Sequence, residues 1–490
     1  MSRPVLRSTA AALAAVVAFG GAANAQASTA TDSTSTVSSA PASGILSAFT
    51  IVAPRSASAS ELLARAVIPA GVACPDLTVT DGLGSTRAIA MVERKAAPTT
   101  APAFAAITVC SAAVPVGAVT ARVAGHGIPA ALPAKVHRMA LFGDSGCRVD
   151  GAWVQDCSAP DQWPLARIAT SIAQAKPDVV IFTGDFFYRE TTCPDPDEGE
   201  CGTSPPPLGG APFTDSAYGW LADVLLPMSG LLPTVPIVAT RGNHEACNRA
   251  GNGFFLLFDP RPDTTLACAP TSVDGVLTAP TAVPTGTYAV DLPIDTGRTL
   301  RLAIVDSSGG NDTQVTHYAQ VQRPAYQAAA QLTRRAPGRE SWFVTHRPLY
   351  GFFSTQLATP GQPFSPWASA DQGAAAWGLL DTYSMVLSSH LHQAQSVQLP
   401  GLPGQLVIGN GGTYLNPVVG YPLPTTGASA GPGQTYPAPT QAWNETRFGY
   451  AIAEPQSDAG AWTIWMRAPD GRDFGRCGLR PGSLYCRTLN

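Results

Sequence analysis

From about His137 onward the chain alternates two textures. Short runs at 139–142, 179–183, 237–240, 300–305, 342–345 and 385–387 are apolar at nearly every residue, the mark of strands buried on both faces. Between them, 162–174, 217–226 and 326–335 read as helices. Strands alternating with helices predict an α/β (α+β) core built on buried sheet. Residues 45–135 differ: short β-branched runs at 77–80, 88–92 and 106–109 are broken by Gly and Pro, and no helical period persists. They predict a small β-sandwich-like domain. Strand-like runs return at 406–409 and 462–466. Residues 26–44 are mostly Ala, Ser and Thr and read as a flexible linker. The expected division is therefore 1–25, 26–44, 45–135 and 136–490.

Composition changes this picture in two places. Charged residues make up 13% and the formal net charge is −4, so there is no basic stripe of the kind nucleic-acid binding needs. An anionic ligand has to be drawn in by local cations or metals. At the N-terminus, Arg3 and Arg7 precede the apolar run 10–19, and Ala23-Asn24-Ala25 fits a small-residue cleavage pattern. That predicts a secretory leader cut before Gln26, and a secreted or periplasmic protein. The run is too short for a transmembrane span, and no later stretch is long enough.

All ten cysteines lie after this leader, and their sequence neighbours pair as Cys74 with Cys110, Cys147 with Cys157, Cys193 with Cys201, Cys247 with Cys268, and Cys477 with Cys486. In an oxidising compartment such spacing predicts disulfides, although sequence alone leaves connectivity open. A zinc site is the rival, but the chain contains no CxxC pair.

The candidate chemistry sits at strand ends, where loops of an α/β sheet build ligand sites. The apolar runs are followed in turn by Gly143-Asp144-Ser145-Gly146, Gly184-Asp185-Phe186-Phe187-Tyr188, Arg241-Gly242-Asn243-His244-Glu245, His346-Arg347-Pro348 and Ser388-Ser389-His390-Leu391-His392. Any one of these is an ordinary turn. Yet of the seven histidines in the chain, His244, His346, His390 and His392 all fall at such ends, together with two Asp and an Asn. His126, His137 and His317 lack this company and read as surface or packing residues. Carboxylate, imidazole and amide oxygen suit iron, zinc or manganese. One carboxylate shared by two ions about 3.5–4 Å apart would clamp a phosphoryl group.

These five motifs, in this order, resemble the calcineurin-like metallophosphoesterase superfamily over about residues 138–395. Asp144-Ser145-Gly146 together with Tyr188 is similar to its purple acid phosphatase branch. The resemblance implies a four-layer αββα sandwich, often preceded by a small β domain. It further implies that Asp144, Asp185, Tyr188 and His392 bind one metal, and that Asp185, Asn243, His346 and His390 bind a second, with Asp185 bridging. His244 would serve the transition state and leaving group. A phenolate ligand favours ferric iron in the first site, beside a divalent zinc, manganese or iron in the second. The reaction implied is hydrolysis of phosphate monoesters by a metal-bound hydroxide attacking phosphorus. Glu245, Arg347 and Tyr350 are candidates for substrate contact, with a solvated carboxylate and a structural ion pair as the plainer readings of the first two. Ser389 stands where the family usually has Gly, and Phe343 where the branch usually has Val. The substrate would be a phosphorylated small molecule or nucleotide. A phosphodiesterase or nucleotidase on the same metals is the nearer alternative; a protein that holds phosphate or metal without turnover is the farther one.

Overall fold

The computed structural model describes residues 44–489 except 57–58, 96–100, 152, 195–198, 204–207, 262–271, 274–275, 278–285, 353–369, 417–426, 429 and 459. The expected leader, nearly all of the expected linker and Cys268 lie outside the described residues.

Two sheets carry the fold. At the centre of the first, Met139–Phe142, Val179–Phe182 and Ile237–Ala239 run parallel as neighbours. Tyr450–Pro455 pairs antiparallel with Met139–Phe142 and leads out through Trp462–Arg467, Asp473–Arg480 and Ser483–Thr488. On the other side Ser47–Ser56 lies parallel to Ile237–Ala239, and Ala59–Pro69, Ile107–Val114 and Val92–Arg94 follow it. In the second sheet Arg298–Val305, Arg339–Thr345, Met385–Ser388 and Gly404–Ile408 are parallel neighbours.

Successive side chains of a strand point to opposite faces, and here each face meets a different partner. Leu300, Leu302, Ile304, Trp342, Val344, Met385 and Leu387 join the core shared with the first sheet. Ala303, Val305, Phe343 and Val386 join a second core, with Tyr326 and Ala329 of helix Tyr318–Leu332. Helix Leu165–Ala175 buries Leu165, Ile168, Ala169 and Ile172, one stripe at helical spacing. Its Ser171 Oγ lies 2.8 Å from Tyr450 OH of the first sheet. The layering is helix, sheet, sheet, helix. Between the sheets the Trp342 and Trp462 rings meet edge to face at 4.7 Å, and both indole N–H groups donate to Glu340 at 3.0 Å.

The β-rich segment 45–135 contributes four strands to the first sheet and builds a separate sheet from Asp76–Asp81, Thr86–Ala90, Ala118–Val123 and His126–Ile128. The Cys74–Cys110 disulfide joins the loop before Asp76–Asp81 to strand Ile107–Val114. From the first sheet, the buried guanidinium of Arg94 donates to the carbonyls of Phe255 and Leu256 in helix Gly251–Leu257. Cys147–Cys157, Cys193–Cys201 and Cys477–Cys486 are disulfides as the spacing predicts. Cys247 is also disulfide-bonded.

Two helices differ from expectation. The segment expected at 326–335 is the longer helix Tyr318–Leu332, which carries Pro324 inside it. Proline ordinarily marks a helix boundary, so its tolerance here hid the first two turns. The helix expected at 217–226 is a single α turn, Ala217–Trp220, continued by a π turn at Leu221–Leu225.

Because Trp342 is fully buried between the sheets, Trp342→Ala should destabilise the protein by about 3–5 kcal/mol. A fall in the urea midpoint at unchanged slope measures this.

Candidate metal centre

The parallel strands of both sheets end at one edge, and the polar motifs are the loops that follow them. Several turns there are tight enough to force unusual backbone. Asp144, Asp185 and His390 adopt positive φ of 54°, 56° and 73°, a region that costs a residue with a Cβ of order 1 kcal/mol or more. Local bonds hold them there. The Asp144 N–H donates to Gly184 O and the Ser145 N–H to Asp185 O, both at 3.0 Å. The His390 N–H donates to Asp144 Oδ2 at 2.8 Å. Gly242 is obligatory for a simpler reason: a Cβ on it would stand 2.1 Å from Asp185 Oδ1.

The sequence-derived candidates converge in two groups that share one oxygen. In the first, Tyr188 OH lies 2.9 Å from Asp144 Oδ1, 2.9 Å from Asp185 Oδ2 and 3.0 Å from His392 Nε2. In the second, His346 Nε2 lies 3.2 Å from the same Asp185 Oδ2 and 2.9 Å from Asn243 Oδ1, which is 2.7 Å from His390 Nδ1. One donor atom each from Asp185, His346 and His390 fits within 4.8 Å. His244 stands beside both groups. Its N–H donates to Asp185 Oδ1 at 2.8 Å, its ring lies 3.8 Å from that of Tyr188, and its Nε2 is 3.9 Å from Asp185 Oδ2.

Charge in this pocket is unbalanced. Asp144 and Asp185 are buried, and among the described residues no Lys or Arg forms an ion pair with either; their ionic partners are His392, His244 and His346. Burial, with the charge of Asp185 beside it, pushes the Asp144 carboxyl well above its ordinary range. Burial acts on Asp185 too, but His346 and His244 outweigh it and hold that carboxyl well below. Burial and the two carboxylates also raise the Tyr188 phenol. Among the imidazoles, burial lowers His392 to about 3 and, together with Arg249, lowers His244 to about 4. Buried carboxylates require nearby positive charge. Among the described residues the oxygen and nitrogen donors converge with no Lys or Arg paired to either carboxylate, an arrangement that bound metal ions would satisfy, so the residues present fit two ions.

The other candidates take different positions. Glu245 is fully buried and accepts backbone N–H bonds from Asp185 (2.9 Å), Phe186 (2.8 Å), Phe187 (3.0 Å) and Gly242 (3.0 Å). Its carboxylate therefore splints the Asp185 loop from behind. Tyr350 is buried as well, and its OH donates to Pro403 O. Arg347 pairs with Asp312 and lies 3.1 Å from His390 Nε2. Ser389, unusual in its motif, donates to Thr183 O at 2.8 Å and lies 3.0 Å from His346 Nδ1, bridging a loop of each sheet. His126, His137 and His317 are exposed.

Four neighbours escaped the sequence reading. Glu190 Oε1 is 2.8 Å from His244 Nδ1, and Arg249 Nη2 lies 2.8 Å from that same nitrogen while pairing with Glu190. Asp312 Oδ2 is 3.1 Å from His390 Nε2. Asp223 accepts the N–H groups of Cys147 and Tyr188, each at 2.7 Å, and pairs with Arg189. A signal existed for Asp312: the stretch Asp306-Ser307-Ser308-Gly309-Gly310-Asn311-Asp312 is one more polar cluster after a strand. Glu190 lies two residues beyond Tyr188 in its own motif. Arg249 and Asp223 offered none, since each belongs to a segment with no other chemistry.

A sequence model of calcineurin-like phosphoesterases matches residues 137–394, just over half of the chain. The chain belongs to the calcineurin-like phosphoesterase family. Its fold is similar to that of a purple acid phosphatase from yellow lupin (Lupinus luteus) seeds, at 12% identity over 90% of this chain and 74% of that one, with a TM-score of 0.51. It is also similar to PhoD, at 11% identity over 92% of this chain and 94% of that one, with a TM-score of 0.51. At such identities the likeness is one of fold. No curated protein matches the chain in sequence. Membership makes this calcineurin-like phosphoesterase a metal-dependent phosphoester hydrolase and implies two metal ions.

Glu245→Ala would leave four buried N–H groups without their acceptor, each worth about 1–3 kcal/mol unmet. The expected outcome is a lower melting temperature together with loss of bound metal, read by calorimetry and elemental analysis of the same sample.

Proposed function

We propose that this phosphoesterase is an exported, dinuclear phosphatase acting on phosphate monoesters, of the purple acid phosphatase type. The observation that carries the reading is the sharing of Asp185 Oδ2 between two donor groups. Asp144, Tyr188, His392 and Asp185 would hold one ion; Asn243, His346, His390 and Asp185 the other. A phenol oxygen among the donors favours ferric iron in the first position, and the nitrogen-rich second group suits divalent zinc, manganese or iron. When bound, the ions neutralise phosphoryl oxygens and bring the pKa of a coordinated water toward neutrality. Export is supported by the described disulfides and by the leader-like residues that start the chain. Among the described residues, no helix is long and apolar enough to cross a membrane.

The chain's own groups supply orientation and proton traffic. Glu190 Oε1 lies 2.8 Å from His244 Nδ1, while His244 Nε2 lies 3.1 Å from Arg249 Nη2 and 3.9 Å from Asp185 Oδ2. With Glu190 holding the Nδ1 proton, the protonated ring can give its Nε2 proton to the leaving oxygen of the ester and return to the neutral form that burial favours. Asp312 stands behind His390 in the same manner: a proton on Nε2, held by Asp312 Oδ2, leaves Nδ1 as the donor on the side of Asn243.

Three results test this. In the metal-replete protein, Asp185→Asn should abolish turnover of an aryl phosphate; undiminished turnover would refute the shared carboxylate. The purified wild type should show a visible tyrosinate–iron band that Tyr188→Phe removes, and stoichiometric zinc or manganese without that band would refute the branch. Asp312→Asn should weaken binding of one ion about 10–100-fold in titration calorimetry; equal affinity would leave Asp312 a bystander.

A further inference from the structure

Large aromatic side chains seldom stand in solvent beside a catalytic pocket without a use, and two do so here. Trp153 is 66% exposed and Tyr414 39% exposed, with their rings nearly parallel at 13° and centroids 6.4 Å apart. Tyr414 in turn meets His392 edge to face at 5.6 Å. The pair is thus continuous with the first donor group, since the His392 ring also meets that of Tyr188 at 5.7 Å.

Both rings are carried on backbone that the site itself fixes. Trp153 lies on a two-stranded hairpin, Val149–Asp150 with Trp153–Val154, which the Cys147–Cys157 disulfide closes. That hairpin follows the Asp144 loop directly, and the Cys147 N–H is anchored on Asp223. Tyr414 directly follows the turn in which the Gly411 N–H donates to Gly143 O and the Thr413 N–H to Asp144 O, both at 3.0 Å. The Tyr414 carbonyl lies 3.0 Å from His392 Nδ1. The rings are therefore held at the rim of the pocket at little further entropic cost, as a binding platform requires.

The charge around the rings narrows the ligand. The Arg148 guanidinium lies over the Tyr414 ring at 5.6 Å, but Asp150 pairs with it at 2.9 Å. With Arg148 paired to Asp150 and lying over Tyr414, the more open ring is that of Trp153, which suits an uncharged aromatic ring better than a second phosphate. We infer that Trp153 and Tyr414 form a stacking subsite for the aromatic part of the ester's leaving group, an aryl ring or a nucleobase. The inference rests on the hydrolase reading above and names the substrate class of that site.

The test compares kcat/KM of the metal-loaded enzyme for phenyl phosphate, adenosine 5′-monophosphate and glycerol phosphate. Wild type should prefer the aromatic esters. Trp153→Ala should lower the aromatic-to-glycerol ratio about tenfold, the scale of one lost stacking contact, while Trp153→Phe, which keeps a ring face, preserves it. A loss confined to the nucleotide assigns the subsite to bases, and one confined to phenyl phosphate assigns it to aryl groups. An active enzyme whose ratio is unchanged in Trp153→Ala, or whose three rates fall alike, overturns the subsite alone. Absence of turnover on all three esters by wild type overturns the hydrolase reading, and the subsite with it.

Discussion

Concentrated negative charge at a dry edge is the constraint around which this protein is arranged. Asp144 and Asp185 are buried within reach of one phenol oxygen, and among the described residues no Lys or Arg pairs with either. Two carboxylates in low dielectric repel each other, which is why burial and Asp185 together drive the Asp144 carboxyl upward. Cations reverse that sign: in their presence the same carboxylates, and the phenol between them, become attractive partners. The pocket is thus shaped for positive charge before any substrate enters.

Holding such a pocket open demands rigid backing, and it comes from carboxylates of a different kind. Glu245 gathers four backbone N–H groups of the Asp185 and Gly242 loops, and Asp223 gathers two from the Asp144 and Tyr188 loops. Neither faces the donor cluster. Together with the Asp144–Gly184, Ser145–Asp185 and His390–Asp144 bonds, they hold three non-glycine residues at positive φ, a strain that persists where the surrounding structure over-determines it. Ser389 then ties the loop of one sheet to that of the other. The edges of the two sheets stay in register because their faces interlock beneath, through the alternating residues of Arg339–Thr345 and the Trp342–Trp462 contact.

Much of this was legible in one dimension. Strands such as Met139–Phe142 announce themselves because burial on both faces demands unbroken apolar runs. The polar residues that end them are legible because a strand's C-terminal end must open into a loop. Glu245 was legible as an interesting residue but not as a splint, since its four donors come from two loops. Tyr350 belongs to a motif by position and to the core by packing. Arg249 meets His244 only because a turn folds back, and Pro324 concealed the start of the helix that contains it.

By itself, then, the sequence determined the local order: which apolar segments are strands and which loops carry oxygen and nitrogen donors. These depend on neighbours a few residues away, and side-chain periodicity records them. Only the tertiary structure decided that Asp185 offers one oxygen to both donor groups, that Ser47–Ser56 extends the sheet bearing the site, and that Trp153 comes to rest beside Tyr414. Each of those outcomes joins residues far apart along the chain. They follow from how two sheets close on a common core, a property of the whole packing that no local pattern encodes.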